Sequence, residues 1–378
     1  MSNYAVIMAG GVGQRFWPKG STKIPKQFLD ITESSGRRTK IKTESMIQST
    51  FIRLTEFIHP TKIFVITNIN YRTIVKKQIP NIPEDNIIGE PFGRNTAPCI
   101  GLTCVFLKQF NQKANVLVVP SDHIIKNKNE FARVAKTGLK FTNEHGGIVT
   151  LGINPTRPET GYGYIQYNTE DYIDILSQSI TKEKLKPERI YKVKTFAEKP
   201  NTELAKAFIE SGDFLWNSGM FIFRVDTMLE ELEKFLPDIY LALTKIEKNL
   251  FTSVFKKVLE DVYSKIKGIS IDYGVMEKSE RVYTIRSHFD WSDVGCWDEI
   301  YNLKKKDTKG NVTQGMAVLI NSKNCLVIND QRISALIGVE DLLVIDTDNG
   351  LLVCKKGESQ KVKEVVDYLR RKGLDQYL

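Results

Sequence analysis

The 378-residue sequence contains no apolar run of about 18 residues, the length that a membrane-spanning helix requires. Its first residues carry no basic stretch ahead of their short apolar segment, so no secretory signal peptide is expected. The five cysteines form no CxxC pair, and the four histidines form no HExxH motif. These absences argue against a disulfide framework, a zinc ribbon and a zinc hydrolase. We therefore expect a reduced, cytoplasmic protein that does not enter a membrane.

The composition is that of a globular protein with a surplus of positive charge. Hydrophobic residues make up 41% of the chain and charged residues 26%, a balance that supports a core and is atypical of a disordered chain. Lys and Arg outnumber Asp and Glu by 54 to 45, which gives a formal net charge of +9. This surplus suits either nucleic acid or nucleotide phosphates. The basic residues do not concentrate with aromatic residues in a nucleic-acid-binding motif, so no nucleic-acid partner is expected.

Short apolar runs alternate with helix-like stretches over most of the chain. The runs typical of buried strands are residues 4–9, 62–67, 116–120, 148–153 and 220–225. The stretches with helical periodicity or a helix-start signal are residues 43–57, 97–110, 131–142 and 202–211. This alternation predicts an α/β fold with an open, mostly parallel, Rossmann-like sheet that helices cover on both faces.

The pattern changes after a charged stretch at residues 303–311. Short apolar runs then follow at close spacing, at residues 316–320, 325–328, 333–337, 342–345 and 351–354. They are too short for helices and predict stacked short strands, followed by a final helix at 359–371. The polar segment 171–189 is expected to be a surface excursion. We therefore predict a domain at residues 1–302 and a small β-rich domain at residues 311–378.

A glycine-rich loop, GGVGQRFWP, follows the first predicted strand at residues 10–18. Glycines at such a place let backbone N–H groups approach phosphate oxygens. The loop is not a P-loop, because Gln and Arg follow Gly13, and it lacks the third glycine of a dinucleotide fingerprint. A tight structural turn is the alternative interpretation. Arg15 favours phosphate binding, since a guanidinium can chelate phosphate, and Lys26 lies close enough in sequence to assist it.

Further blocks follow the loop in a recognisable order. They are PKQFL at 25–29, FGRNTAP at 92–98, PSDHI at 120–124, GYGYI at 161–165, FAEKP at 196–200, WNSGMF at 216–221, SIDY at 270–273, MEK at 276–278 and WSDVG at 291–295. With the glycine loop, they make the sequence resemble the mannose-1-phosphate guanylyltransferases, within the nucleotide-sugar pyrophosphorylases. The resemblance covers about residues 4 to 300, and the tail resembles the short C-terminal segment of that family. One departure is Gly20, where the family usually has Ser.

The resemblance implies a fold, a reaction and a metal ion. The fold is that of the nucleotide-diphospho-sugar transferases, with a small C-terminal unit similar to a left-handed β-helix. The reaction joins GTP and α-D-mannose 1-phosphate to give GDP-mannose and pyrophosphate, by in-line attack of the sugar phosphate on the α-phosphorus. Because the nucleophile is already an anion, positioning and charge neutralisation are the main demands. Mg²⁺ suits this task, since it prefers carboxylate and phosphate oxygens.

The resemblance also assigns roles to individual residues. Asp122 and Asp293 are expected to hold Mg²⁺, while Arg15 and Lys26 neutralise the triphosphate and the departing pyrophosphate. The nucleotide-binding candidates, which supply backbone donors or read the guanine, are Gly10, Gly11, Gly13, Glu90, Asn95, Thr96 and Ala97. The candidates for binding the sugar phosphate are Gly163, Glu198, Lys199 and Asn217.

Two other functions remain open from the sequence. One is a related nucleotidyltransferase that uses another base or sugar phosphate. The other is a non-catalytic nucleotide-sugar sensor on the same fold, which should have lost its metal carboxylates or phosphate cations. The presence of Arg15, Lys26, Asp122 and Asp293 argues against the sensor. A homodimer is also expected, because short stacked strands leave edges that need cover.

Overall fold

The computed structural model describes residues 2–11, 13–33, 43–176 and 187–378. The chain divides into two compact units, each assembled from stretches that are separate in sequence. The first unit comprises Met1–Gly10, Thr50–Ser121 and Ile125–Trp291, and the second comprises Gly11–Ser49, Asp122–Ile124 and Ser292–Leu378. These units reflect packing, whereas the division at residues 302–311 concerns segments of sequence and stays a prediction.

The described strands and helices have the following bounds. The strands are β1 (Asn3–Ala9), β2 (Thr32–Glu33), β3 (Thr43–Glu44), β4 (Ile63–Asn68), β5 (Ile87–Glu90), β6 (Asn115–Pro120), β7 (Ile124–Ile125), β8 (Ile148–Ile153), β9 (Gly163–Leu176), β10 (Pro187–Glu198), β11 (Phe214–Arg224), β12 (Val282–Ser287), β13 (Trp291–Ser292), β14 (Val312–Gln314), β15 (Ala317–Ile320), β16 (Leu326–Asn329), β17 (Ser334–Ile337), β18 (Leu342–Thr347) and β19 (Gly350–Lys355). The α-helices are α1 (Met46–Thr55), α2 (Arg72–Gln78), α3 (Thr96–Lys108), α4 (Lys128–His145), α5 (Thr202–Ser211), α6 (Val225–Phe235), α7 (Pro237–Glu247), α8 (Phe255–Lys265), α9 (Trp297–Leu303) and α10 (Val362–Arg371).

A large sheet forms the centre of the first unit. Its described strands run in the order β5-β4-β1-β6-β11-β8-β12-β10-β9. The pairings make β10 and β11 antiparallel to their neighbours, so the other strands of this sheet all run in one direction. The predicted mostly parallel α/β sheet is therefore confirmed. Residues 220–225, read as one of its strands, belong mostly to β11, which is reversed.

The core of the first unit surrounds α3. This helix is apolar around most of its circumference and is buried almost throughout, as expected for a helix enclosed by other elements. It lies close to α7, where Gly101 makes the approach possible. A Cβ added at Gly101 would lie 2.4 Å from Cδ1 of Leu243. Glycine at this position therefore permits the helix packing that surrounds the sheet.

The described parts of the polar segment 171–189 belong to two strands. Asp171–Leu176 continues β9 and Pro187–Arg189 begins β10, while residues 177–186 lie outside the described residues. The two strands pair in antiparallel fashion, and Tyr172 lies 5.8 Å from Tyr191 between ring centroids. Cross-strand aromatic pairs stabilise such ribbons even when few side chains are buried. The described ends of the segment are therefore strands, which the sequence pattern indicates only weakly because their side chains are mostly exposed.

Stacked short strands form the C-terminal part of the second unit. Strands β14, β16 and β18 pair in parallel, and β15 pairs in parallel with β17. The register aligns Val312, Leu326 and Leu343, and all three side chains are buried in one apolar cluster. Successive turns of chain thus stack their apolar residues inward, which confirms a β-helix-like unit. Among the described residues, no helix is long and apolar enough to cross a membrane.

Candidate active site

A cavity of about 480 Å³ lies within the second unit, on the glycine-rich loop. Its lining residues come from five separate places in the sequence. They are Gly13, Gln14, Arg15, Phe16, Lys26, Asp122, His123, Asp293, Gly295 and Lys363. All four residues predicted to be catalytic therefore line a single cavity, although 171 positions separate Asp122 from Asp293. We call this the phosphate cavity.

The glycine loop is held by packing beneath it. Gly13 has a left-handed backbone with φ of 62°, and a Cβ there would lie 2.3 Å from Cβ of Lys26. Only glycine fits this position without displacing Lys26. The chain then turns through a short 3-10 helix, whose Phe16 is buried and packs on Trp297 at 5.1 Å between centroids. Arg15 remains exposed at the cavity, on a loop whose backbone is fixed.

Lys26 links the Asp122 carboxylate to the backbone of Asp293. Its side chain is almost fully buried, and its ammonium donates to Oδ2 of Asp122 at 2.7 Å. The same ammonium donates to the backbone carbonyl of Asp293 at 2.6 Å. A lysine ammonium has three donors, so one N–H beyond these two bonds is available for an anion in the cavity. Lys26 thus fixes the loops that carry both aspartates.

The environment keeps Asp122 ionised. Burial alone would raise the pKa of this carboxyl, but the charges of Lys26 and His123 and the hydrogen bond from Lys26 outweigh it. The pKa of Asp122 is therefore lowered from its ordinary value. The side chain is still one-third exposed, so an ionised carboxylate faces the cavity.

Asp293 lies in a turn that a neighbouring glutamate stabilises. The backbone N–H of Gly295 donates to Oε2 of Glu299 at 2.7 Å, and that of Val294 donates to Oγ of Ser292 at 3.1 Å. Val294 has a positive φ of 48°, which is uncommon for a β-branched residue. These bonds hold the strained turn, and with it the position of Asp293, beside Lys26.

The donor atoms of the phosphate cavity suit a hard divalent cation. In the described part of the chain, no set of three or more His, Cys, Asp or Glu side chains could hold a metal. Two carboxylates without a third protein ligand do not fit a structural zinc site. Mg²⁺ usually keeps several waters and takes one or two carboxylates together with substrate phosphates. Asp122 and Asp293 therefore fit Mg²⁺ bound jointly with a phosphate ligand.

Glu90 lies in the first unit, at the end of β5. It is buried, and the hydroxyl of Tyr263 donates to its Oε1 at 3.0 Å. Burial raises the pKa of Glu90 to about 7, although the Tyr263 hydrogen bond opposes this shift. Gly10 lies nearby, because a Cβ added to it would be 3.8 Å from Oε2 of Glu90. The end of β1 thus approaches a buried carboxylate whose charge changes near neutral pH.

The three other base-binding candidates lie at the start of α3. Asn95 caps the helix, and its Oδ1 accepts from the N–H of Thr96 at 2.9 Å. Oγ1 of Thr96 accepts from the N–H of Ile271, and the N–H of Ala97 donates to the carbonyl of Ile269. The polar groups of Thr96 and Ala97 therefore secure the neighbouring chain. Asn95, which is exposed and has φ of 66°, is the most accessible of the three to a ligand.

Asn217 also belongs to the first unit, and a bulge in β11 sets the direction of its side chain. The register of β11 against β8 shifts between Asn217 and Phe221, and Gly219 has a positive φ of 66°. Such bulges change the direction in which a strand presents its side chains. The Asn217 amide donates to Oδ1 of Asp272 at 2.7 Å, while its oxygen accepts from the N–H of Gly219. Asn217 and Asp272 thus form a fixed polar pair.

Glu198 and Lys199 belong to the same cluster. A Cβ at Gly163 would lie 2.4 Å from Oε2 of Glu198, so glycine allows the carboxylate to approach the backbone. Lys199 is ion-paired with Glu198 at 2.9 Å, which raises the pKa of the lysine. Burial, followed by the Glu198 charge, raises the pKa of Asp272 to about 6. The structure thus brings the four predicted sugar-phosphate residues together and adds Asp272 to them.

The structure places the predicted residues in two groups. Gly11, which is exposed, and the cavity residues belong to the second unit, whereas the base and sugar candidates belong to the first. Their individual roles stay predictions. Reasoning from sequence missed Asp272, Tyr263 and Lys363 as site residues. The SIDY block pointed to Asp272, but nothing in the sequence distinguished Tyr263 or Lys363 from other residues of their kind.

Comparison with known proteins identifies the family. The chain matches the nucleotidyl transferase family over residues 4–310 and a mannose-phosphate isomerase/GMP-like beta-helix domain over residues 315–369. It is 37% identical to a mannose-1-phosphate guanylyltransferase of Escherichia coli, over 97% of this chain and 76% of that protein. It is 36% identical to the alginate biosynthesis protein AlgA of Pseudomonas syringae, over 97% of this chain and 72% of that one.

A solved structure agrees with these relatives. The crystal structure described as a mannose-1-phosphate geranyltransferase from Thermus thermophilus superposes with a TM-score of 0.82 at 30% identity. The match covers 98% of this chain and 100% of that structure. The similarity thus includes both the large sheet and the β-helix-like unit. On these sequence and structural matches, the chain belongs to the mannose-1-phosphate guanylyltransferase family of nucleotidyltransferases.

Proposed function

We propose that this chain transfers GMP from GTP to α-D-mannose 1-phosphate, giving GDP-mannose and pyrophosphate, with the help of Mg²⁺. The observation that carries the proposal is the phosphate cavity. It gathers Arg15, Lys26, Asp122 and Asp293 from distant parts of the sequence around a space large enough for phosphate groups. The family relationship supports the same reaction.

The cavity supplies what this reaction needs. A sugar phosphate is an anion near neutral pH, so no general base is required, and bringing two polyanions together is the main barrier. Arg15 and the remaining N–H of Lys26 bind and orient phosphate oxygens and offset their charge. Mg²⁺ bound by Asp122 and Asp293 would act as a Lewis acid that neutralises phosphate charge. Lys26 in turn holds both aspartates in position.

Residues of the first unit account for the choice of substrates. An ionised Glu90 can accept from both N1–H and the 2-amino group of guanine, which adenine cannot match. Glu198 and the Asn217–Asp272 pair can bind sugar hydroxyls, and Lys199 suits the sugar phosphate. Since Glu198 and Lys199 already pair, the binding of mannose 1-phosphate would redistribute charge within this cluster.

Preference for GTP over ATP should rise with pH in the neutral range. Because the pKa of Glu90 is raised to about 7, protonation removes an acceptor as the pH falls below that value. The GTP-to-ATP affinity ratio should increase about tenfold between pH 6 and pH 8, as one ionisation allows. Isothermal titration calorimetry with each nucleotide measures this ratio. GTP and ATP carry the same triphosphate, so the effect of pH on its protonation cancels in the ratio.

Glu90→Gln is the matched control for this pH effect. It removes the ionisation while keeping the size of the side chain, so its ratio should be low and independent of pH. A wild-type ratio that does not change with pH would show that atoms other than the Glu90 carboxylate read the base.

The direct test of the proposed function is pyrophosphate release. GTP and ATP are each combined with mannose 1-phosphate and glucose 1-phosphate, in the presence of Mg²⁺ or EDTA. Release confined to GTP with mannose 1-phosphate, and lost with EDTA, is expected. Release with another pair would keep the chemistry and overturn the choice of base or sugar. If the folded protein releases no pyrophosphate in any of the four combinations, the nucleotide-sugar sensor is favoured.

We further propose that the chain works in the cytoplasm as a homodimer, without a nucleic-acid or membrane partner. All five cysteines are free thiols, which suits a reducing compartment. The outer face of β15 and β17 exposes apolar side chains, with Val318 42% and Ile337 66% exposed. A face of this kind suits burial against a second copy, because isolated apolar patches are costly in water.

A substitution on this face should dissociate the dimer. Ile337→Asp would place a charge in the proposed interface, so sedimentation equilibrium should show monomers where the wild type shows dimers. Leu241→Asp is the control, because Leu241 is similarly exposed, at 60%, on α7. A monomeric wild type, or dimers that persist in Ile337→Asp, would contradict this interface.

A further inference from the structure

One residue of the phosphate cavity comes from the last helix of the chain. Lys363 is the second residue of α10, and it lines the same cavity as Arg15 and Lys26. None of the sequence blocks that indicated the family includes it. Its position therefore depends on how α10 packs within the second unit.

Among the described residues, Arg15 and Lys363 stand apart from Lys26 because they have no polar partner in the protein. Lys26 is ion-paired with Asp122, but neither Arg15 nor Lys363 makes an ion pair or hydrogen bond within the described parts of the chain. The nearby Lys361 differs, because its ammonium pairs with Glu358 at 2.5 Å. Two cations without an ion pair in the described chain thus face the cavity, which the carboxylates of Asp122 and Asp293 also line. Both charges attract an anion that enters the cavity.

The place of Lys363 in its helix is unfavourable for stability. The first turn of an α-helix carries partial positive charge, so a lysine there is less favourable than an acidic residue. The basic residues Arg370 and Arg371 at the other end of α10 are placed favourably. A stabilising role for the helix therefore does not explain Lys363, whereas recruitment of an anion does.

Helix α10 is fastened to the loop that carries Arg15. With the Gln14 amide oriented to face Arg370, its oxygen accepts from both terminal guanidinium nitrogens, at 2.6 and 3.0 Å. The indole N–H of Trp17 donates to the carbonyl of Tyr377, just beyond the helix, at 2.8 Å. These bonds hold the helix on both neighbours of the Arg15–Phe16 turn. Lys363 and Arg15 therefore belong to one rigid part of the cavity wall.

We propose that Lys363 is a phosphate-binding residue of this active site and that it contacts the terminal phosphates of the nucleoside triphosphate. This inference rests on the proposed nucleotidyl transfer. Lys26 is committed to the aspartates that suit the metal, so it lies toward the reacting α-phosphate. Lys363 and Arg15, which are free of such contacts, bind the two phosphates that leave as pyrophosphate. The C-terminal helix is thus part of the binding machinery.

Lys363→Ala should weaken the binding of ligands that contain the terminal phosphates and leave the binding of GDP-mannose unchanged. Affinity for GTP and for pyrophosphate should fall about tenfold, the loss of one charge-assisted contact, while affinity for GDP-mannose stays unchanged. Lys361→Ala is the matched control, since it removes the same charge from the same end of the helix outside the cavity. Lys363→Arg should restore most of the pyrophosphate affinity. Calorimetry gives the binding constants, and KM for pyrophosphate in the reverse reaction gives an independent value.

Inorganic pyrophosphate keeps this test apart from the test of function. It contains no base or sugar, so its binding does not depend on which nucleotide or sugar phosphate the enzyme uses. A specific loss in Lys363→Ala would support the proposal even if the assay of GTP and mannose 1-phosphate failed. Equal effects of Lys363→Ala and Lys361→Ala, a matching loss of GDP-mannose affinity, or no pyrophosphate binding by the wild type would overturn it.

Discussion

Asp122→Asn and Asp293→Asn should each lower turnover by at least about a hundredfold while the protein stays folded. Each change removes a negative charge from the pair that suits Mg²⁺ but keeps the size of the side chain. An asparagine at 122 can still accept from the Lys26 ammonium, and Lys26 contacts residue 293 only through its backbone carbonyl among the bonds described. The loss should therefore concern metal and phosphate, not folding.

The measurement is initial rate against Mg²⁺ concentration, alongside a thermal melt. Both variants should need much more Mg²⁺, or fail to saturate. Asp290→Asn is the control, because Asp290 is an exposed aspartate only three positions before Asp293 and does not line the cavity. Near-normal activity with an unchanged Mg²⁺ dependence in either test variant would remove that aspartate from the metal site.

Lys26→Met should reduce turnover by about two to three orders of magnitude, the range found when one preorganised charge is removed. Methionine replaces most of the buried stem, so the principal loss is the ammonium. That group holds Asp122 and the Asp293 carbonyl, and it offers a further N–H to phosphate. The substitution therefore affects both the metal carboxylates and the triphosphate, whereas the variants at Asp122 and Asp293 affect mainly the metal.

Lys19→Met distinguishes lost catalysis from lost stability. Lys19 is also largely buried in the same segment, and its ammonium lies 3.0 Å from Asp330 and 3.6 Å from Asp30. It does not line the phosphate cavity. Both variants should lower the melting temperature. Only Lys26→Met should also lose two to three orders of magnitude in turnover, about the range expected for one preorganised charge. If Lys26→Met and Lys19→Met had equal activity, the role of Lys26 would be structural and not catalytic.

Much of the fold could be predicted because burial leaves a clear pattern in the sequence. Residues 148–153 form a strand with the predicted bounds, since every side chain is buried. Helix α5 also has the predicted bounds, because Asn201 caps its start and Gly212 ends it in a left-handed conformation. The predictions were weaker for β11, which begins at Phe214, because its bulge at Asn217 and Gly219 interrupts the strand pattern.

The candidate site could be predicted only where a local motif marks it. Gly13 and Arg15 lie within a single loop, and the resemblance linked Asp122 with Asp293. Lys363 could not be found in this way, because its role depends on helix packing and many other lysines have a similar local sequence. Asp272 was also missed, since its hydrogen bond with Asn217 joins residues 55 positions apart.

Because the residues of the phosphate cavity are spread along the chain, the cavity is completed late in the synthesis of this part of the protein. Gly13 and Lys26 leave the ribosome before Asp293 and Lys363 do. At ~5–20 residues per second, the interval between Lys26 and Lys363 is on the order of half a minute. For most of that time the glycine loop lacks Trp297, on which its buried Phe16 packs. A growing chain can therefore build strands of the large sheet well before it can bind pyrophosphate, and activity should appear only after α10 has emerged.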